Sequence, residues 1–427
     1  MEWSLGLLAA WLVTLIPPFL VSLSAKESFR LPKLMASEWL ALASLLGLAW
    51  QARRFERFEE LRLADLWRRP AVRALVPLLL IATLSLWTTD HPFHVRQGVI
   101  DLWIGAAALA GWSLGLPDRR QMELLRGLLI PASAVALIGI LQFHGVFRLP
   151  LVNIAYDRRL SLTSTAGNPG DLGAYLVLPC LMAQWILARG AAGRARWLTA
   201  AGLAVCLYAV ALSQTLAALA ALGVASLVLW GSVLPRRRAA LLLGGGAALA
   251  LVLVLAVAPL RSRVVTKVKQ AAQGDWNGVL TGRLDGWRAA VWMLREHPWT
   301  GVGQGAFRPE FVPAKLALLD RGVQFYPSQL TPVFANAHNE VLEAGADWGV
   351  PGLLALAWAL WVLFTAVRRR APDGERALAA AGVAALAILS LAHFPFRIAL
   401  VGYPAIVFLA WVLRPREEGA AEGEEAS

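Results

Sequence analysis

The chain has 427 residues, is 58% hydrophobic and only 16% charged, and carries a net charge of +12. A soluble chain of that length would hold about 25% charged residues spread over two or three domains, so a soluble globular protein is excluded. The positive charge clusters in short loops between apolar blocks, a pattern of membrane orientation signals and not of a nucleic-acid surface.

The apolar blocks run to about 18–22 residues, enough to cross about 30 Å of hydrocarbon as helices. Spans are expected near 3–23, 34–50, 71–88, 98–116, 125–147, 171–188, 197–213, 215–234, 239–259, 347–367, 377–394 and 398–413. The fold class is therefore all-α, a polytopic integral membrane protein with about 12 transmembrane helices. Residues 1–23 run into apolar sequence without a basic leader or a small-residue cleavage site, so they read as a first membrane helix and not a signal peptide. Cys180 and Cys206 lie inside apolar blocks and read as small core residues.

Orientation follows from the loops. Those after spans two, four, six, eight and ten carry "RRFERFEELRLADLWRR", "PDRRQMELLR", "RGAAGRAR", "PRRR" and "RRRAPDGER", whereas the intervening loops are poor in Lys and Arg. Both termini are then expected in the cytoplasm. The first outer loop, with Lys26, Arg30 and Lys33, runs against the trend. Spans one to nine fill residues 1–259, and 260–346 form one large periplasmic loop between spans nine and ten. Three more spans cover 347–413, and 414–427 read as a disordered, acidic cytoplasmic tail.

The long loop is too rich in Trp and Phe for disorder, and loops of such length usually carry function. Within it "RLDGWRAAVWMLREHP" has Leu284, Trp287, Val291 and Leu294 at helical spacing before Pro298 stops it. "GVGQGAF" reads as a glycine-rich turn. The loop ends in "FANAHNEVLEAGADWG". His338 there could accept a proton from a hydroxyl, or could simply cap the next helix. A helix starting near Asn336 would bring Glu340, Glu343 and Asp347 onto one face. Those acids could complement the helix dipole, orient its start or touch sugar hydroxyls. One histidine with carboxylates is poor zinc chemistry. Among the loop arginines, Arg283 and Arg288 flank Trp287 on a short helix, and guanidinium forks suit pyrophosphate. A further polar island, "YDRRLSLTSTAGNPGDLGAYL", brings Arg158, Arg159 and Asn168 to the same side.

With these pieces on one side, the chain resembles the O-antigen ligase and polymerase superfamily. His338, Asn339, Leu342, Gly349 and Gly352 are similar to its H-N-x-x-L-x(6)-G-x-x-G pattern. "HPWTGVGQGAF" resembles its P-x-x-G-x-G-x-x-F segment, "GNPGDLGAYL" its G-N-P-N-x-x-A segment, and "HFPFRIAL" its F-P motif near the last helix. The early "FRLPK" extends the likeness.

The resemblance implies a glycosyltransferase of the bacterial inner membrane that moves a glycan from an undecaprenyl-pyrophosphate carrier to an acceptor hydroxyl, such as that of lipid A–core, on the periplasmic face. It implies His338 as the group activating the acceptor and Arg283 as a pyrophosphate contact. Arg288, Asn339, Glu340, Glu343, Asn168, Arg158 and Arg159 are the further expected substrate contacts. No metal or other cofactor is implied, since arginines neutralise the leaving group. The expected partners are the donor, the glycan acceptor and membrane lipids, with no nucleic acid.

The alternatives within the class are a polysaccharide polymerase and a protein O-oligosaccharyltransferase; outside it stands a bicarbonate-type transporter. Few ionisable residues lie deep in the spans to support transport, Asp101 being the main exception. One departure stands out. The family pattern S-x-T-R-x-A has an arginine where "SQTLAAL" carries Leu216. Arg158, Arg159, Arg261 and Arg263 are the candidates to replace it.

Overall fold

The computed structural model describes residues 5–22, 27–54, 63–146, 162–256, 258–325, 334–371 and 374–415. Those residues form α-helices and short 3-10 turns, and no strand occurs among them. The first half holds α1 (Leu5–Leu15), α2 (Arg30–Arg54), α3 (Leu63–Arg68), α4 (Pro70–Leu84), α5 (Pro92–Gly115), α6 (Asp118–Gly127), α7 (Leu129–Phe143), α8 (Pro169–Ala188) and α9 (Gly193–Ser213). The second half holds α10 (Leu216–Val233), α11 (Arg236–Ala256), α12 (Ala258–Ala272), α13 (Trp276–Val279), α14 (Arg283–Glu296), α15 (Phe307–Asp320), α16 (Glu340–Arg368), α17 (Glu375–Ala392) and α18 (Ala399–Val412).

Among the described residues, nine helices are long and apolar enough to cross a membrane. All nine overlap expected spans, and two of them, Asp118–Phe143 and α16, start at 118 and 340, earlier than the expected 125 and 347. Leu5–Phe19 and Ala399–Val412 are shorter apolar helices at the first and last expected spans, and α11, which ends at Ala256, overlaps the span expected at 239–259. The early start of α16 has a local cause: the Asn339 side chain accepts hydrogen bonds from the Val341 and Leu342 amides, so the helix is capped before its polar residues. The apolar centre of the bundle lies around α8, whose residues from Pro169 to Trp185 are almost all buried. Asp101 of α5 lies near Glu38 of α2, a half-buried carboxyl pair.

The basic clusters at Arg119–Arg120, Arg236–Arg238 and Arg368–Arg370 fall at one set of helix ends. At the other set lie the starts of α2, α5, α8 and α16 and the end of α17, together with the short helices α13 to α15. The face of α14 that packs inward carries Gly286, Ala289, Ala290 and Met293, while Leu284, Trp287, Val291 and Leu294 are half-buried. Small residues are needed there because α14 approaches backbone: a Cβ on Gly286 would meet the Ala337 carbonyl oxygen at 3.0 Å.

The glycine-rich turn does more than reverse the chain. The Val302 and Gly303 amides donate to the Ala346 and Asp347 carbonyls at 2.9 Å each, and the Val350 amide donates to the Pro298 carbonyl at 2.7 Å. Residues 298–303 thus take over hydrogen bonds that α16 forgoes where it breaks. The break is at Gly349, with φ 67° and ψ −160°, a region open almost only to glycine. A Cβ at that position would stand 2.5 Å from the Pro298 oxygen. Gly349→Ala should therefore cost about 1–3 kcal/mol or more and lower the thermal midpoint of the purified protein. Gly223→Ala, in open space on α10, should be neutral or gain up to about 1 kcal/mol. Equal midpoints for both variants would show that the break is not held by that contact.

Candidate functional site

His338 stands just before the α16 cap with φ 57°, a left-handed conformation uncommon for a residue with a side chain. Neighbours on three sides hold it. Phe394 meets its ring edge-to-face at 4.6 Å, Phe334 does so at 5.7 Å, and His393 lies parallel to it at 6.3 Å. Strain of this kind, over-determined by packing, concentrates at functional sites. The imidazole is half-buried and its Nδ1 makes no hydrogen bond.

Cations surround it. Burial lowers the His338 pKa to about 3, helped by the charges of Arg283, His393 and Arg30, while Asp171 works the other way. Arg283 opens α14, donates to the Leu280 carbonyl at 3.1 Å and leaves its Nε buried with no partner. Its own pKa is lowered by burial and by Arg263 nearby. Arg30 opens α2 and clasps Asp171, with Nε to Oδ2 at 3.1 Å and Nη2 to Oδ1 at 3.3 Å. Lys33, buried one turn on, donates to the Leu20 and Phe29 carbonyls and so fixes the chain leading into Arg30. Such a group of cations around a neutral imidazole suits a substrate with concentrated negative charge beside a hydroxyl.

Beneath His338 lies a second charged group. Arg397 donates to Asp347 Oδ2 at 2.7 Å and stands 3.1 Å from Glu343 Oε1 and 3.8 Å from Glu340 Oε2. Burial alone would lower the Arg397 pKa, but the carboxylates of Glu343, Asp347 and Glu340 raise it well above its ordinary value. Glu343 also accepts from the Asn336 side chain at 2.8 Å and the Ala337 amide at 2.9 Å. The Phe396 amide donates to Glu340 at 3.2 Å. The chain on either side of His338 is thereby tied to α16 and to the segment before α18.

The structure brings His338 and Arg283 together. Glu340, Glu343 and Asp347 share one face as the spacing implied, and that face is occupied by Arg397. Asn339 caps α16 and its Nδ2 donates to the Leu391 carbonyl at 3.1 Å, and Asn168 caps α8 by accepting from the Asp171 amide at 2.8 Å. Arg288 is exposed on α14 and donates to the Gln324 carbonyl at 2.7 Å, turned to its own loop. Arg158 and Arg159 lie outside the described residues.

Sequence reasoning missed Arg30, Asp171, His393 and Arg397 as site residues. Asp171, His393 and Arg397 are ionisable residues at the edges of apolar blocks, a signal that could have found them, whereas Arg30 sits among the other charges of the first outer loop. Leu216 begins α10 with its side chain half exposed. Thr215 beside it donates to the Pro169 carbonyl at 3.1 Å, so the "SQT" turn sits against the start of α8, which carries Asp171.

Residues 201–357 match the family model described as O-antigen ligase. Over that stretch the chain is similar to the O-antigen ligase superfamily. A comparison with curated proteins gives no match. The matched stretch runs from α9 through the break in α16 and includes Leu216, Arg283 and His338; Arg30, Asp171, His393 and Arg397 fall outside it. The match supports, at the general level, a membrane glycosyltransferase of ligase or polymerase type.

The buried ionic group supplies the test of this architecture. Arg397→Ala leaves three carboxylates without their cation and should cost about 3–5 kcal/mol, read as a loss of folded, monodisperse protein after purification. A variant as stable as the unaltered protein would show that the group is not what holds the His338 segment.

Proposed function

We propose that the protein transfers a glycan from undecaprenyl-pyrophosphate to an acceptor hydroxyl, such as a lipid A–core sugar, at the periplasmic face of the inner membrane. The observation that carries this reading is one neutral imidazole, His338, set among the guanidinium groups of Arg283 and Arg30 where membrane helices end. The basic clusters at the opposite helix ends support a periplasmic position for that site.

In this mechanism the acceptor oxygen attacks the anomeric carbon while its proton passes to His338. The bond from that carbon to the phosphate oxygen breaks, and its electron pair leaves with the pyrophosphate. Arg283, with an unpartnered Nε, meets the charge that develops there. Arg30 takes the place that Leu216 vacates in the family pattern, because the "SQT" turn packs on the same end of α8 that Arg30 grips. Of the replacements expected from sequence, Arg261 is exposed on α12, and Arg263 acts on Arg283. Glu343 and Asp347 position the imidazole through Arg397, and Glu340 does so with a weaker hold. A lipid-held donor reaches such a site sideways, along the bilayer, and a glycan acceptor from the aqueous side.

His338→Ala should lower kcat by about 10²–10⁴-fold with the protein still folded, which single-turnover glycan transfer measures. Transfer at the unaltered rate would remove the proton-accepting role. Arg283→Ala should raise KM for the donor by about tenfold or more and leave KM for the acceptor nearly unchanged. Equal changes in both would contradict a pyrophosphate contact.

The pH profile follows from the same geometry. Before the donor binds, His338 is held near pKa 3, so it is neutral above that value and loses its proton-accepting form only as pH falls through it. A bound pyrophosphate brings negative charge, which favours the imidazolium and moves the value upward. The acid limb of kcat/KM for the donor, which reports the free enzyme, should therefore lie below the acid limb of kcat, which reports the complex. Coincident limbs at the ordinary histidine value of about 6.5 would contradict the cationic setting.

A further inference from the structure

The mechanism above leaves one buried imidazole without a task. His393, 5% exposed, follows α17 directly. Its Nε2 stands 3.5 Å from Asp171 Oδ1, an ion-pair distance, and both ring nitrogens are buried with no hydrogen bond. Asp171 is itself fixed, by the two-point grip of Arg30 and by the start of α8. The His393 ring lies parallel to that of His338, with the two planes 10° apart, and Phe394 packs edge-on against both rings at 4.8 and 4.6 Å. A histidine serving only as core has its nitrogens satisfied; this one presents an open nitrogen beside the imidazole proposed to do chemistry.

We propose that His393, backed by Asp171, is a second contact for the donor's diphosphate, opposite Arg283. The proposal rests on the donor reading given above. A carboxylate behind an imidazole fixes the ring and the nitrogen that carries the proton. With Nε2 facing the Asp171 carboxylate and an anion on the other side, the ring donates from Nδ1 to that anion. When the anomeric C–O bond breaks, the departing electron pair resides on the diphosphate oxygen, and the His393 N–H and the Arg283 guanidinium meet it. His393 keeps its proton throughout, and the proton released by the acceptor goes to His338 and then to solvent. Two parallel imidazoles thereby divide the labour. One faces the acceptor and the other the leaving group.

The test uses the full-length protein in lipid nanodiscs and farnesyl diphosphate as the probe, with dissociation constants measured for four proteins. These are the unaltered chain, Arg283→Ala, His393→Ala and His393→Asn. His393→Ala should weaken binding by about tenfold, the scale of one charge-assisted hydrogen bond. His393→Asn keeps an N–H donor near Nδ1 and should recover most of that loss. Unaltered affinity in His393→Ala would overturn the proposal. An equal loss in both histidine variants, with equally lowered thermal midpoints, would make His393 a packing residue and overturn it as well. If Arg283→Ala weakens binding and His393→Ala does not, only the present inference falls. If the unaltered protein does not bind the probe at all, the donor reading falls and this inference with it.

Discussion

Arg397 is the interaction on which the rest of the site depends. Glu343 and Asp347 are fully buried at the start of α16, where an unpaired carboxylate would be very costly. One guanidinium gathers them with Glu340 and joins the beginning of α16 to the turn before α18. Glu343 then reaches back to Asn336 and the Ala337 amide, which leaves His338 little choice of conformation. The left-handed backbone at His338 is a cost that this network and the three flanking rings offset together.

Above that base the site is assembled from ends. The start of α2 gives Arg30, the start of α8 gives Asp171, the start of α14 gives Arg283, and the end of α17 leads into His393. Helix ends are where a membrane bundle can expose polar groups without leaving backbone unsatisfied in lipid. The break at Gly349 extends this device: the backbone of residues 298–303 completes the hydrogen bonds of α16 and brings the long loop down onto the site. Electrostatics and packing act in the same direction. Burial, helped by the cations near His338, keeps the imidazole neutral, and an arriving anion would raise its affinity for a proton.

Much of this was legible in the residues, because apolar block length is a strong signal and nine of the expected spans coincide with helices long and apolar enough to cross a membrane. The helix ahead of Pro298 and the shared face of Glu340, Glu343 and Asp347 were legible for the same local reasons, whereas the link between Arg283 and His338 came only from the family resemblance. What escaped depends on contacts between residues far apart in the chain. Arg30 meets Asp171 across 141 positions, and Arg397 meets Asp347 across 50, distances at which periodicity says nothing. Arg30 and Lys33 had counted only as basic residues on the wrong side of an orientation rule. Turned into the protein, where they grip Asp171 and two carbonyls, they do not act as headgroup-facing charges at all. Asn339 and Asn168 carried a motif signal whose visible physical content is helix capping.

The central claim is group transfer from a lipid-held pyrophosphate, and reconstitution tests it most directly. The purified protein would be placed in proteoliposomes with a glycan on undecaprenyl-pyrophosphate and offered lipid A–core, a second lipid-linked glycan or a protein acceptor in separate reactions. The account predicts that glycosylated acceptor and free undecaprenyl-pyrophosphate form in equal amounts with one of them. No release of undecaprenyl-pyrophosphate with any acceptor would contradict it.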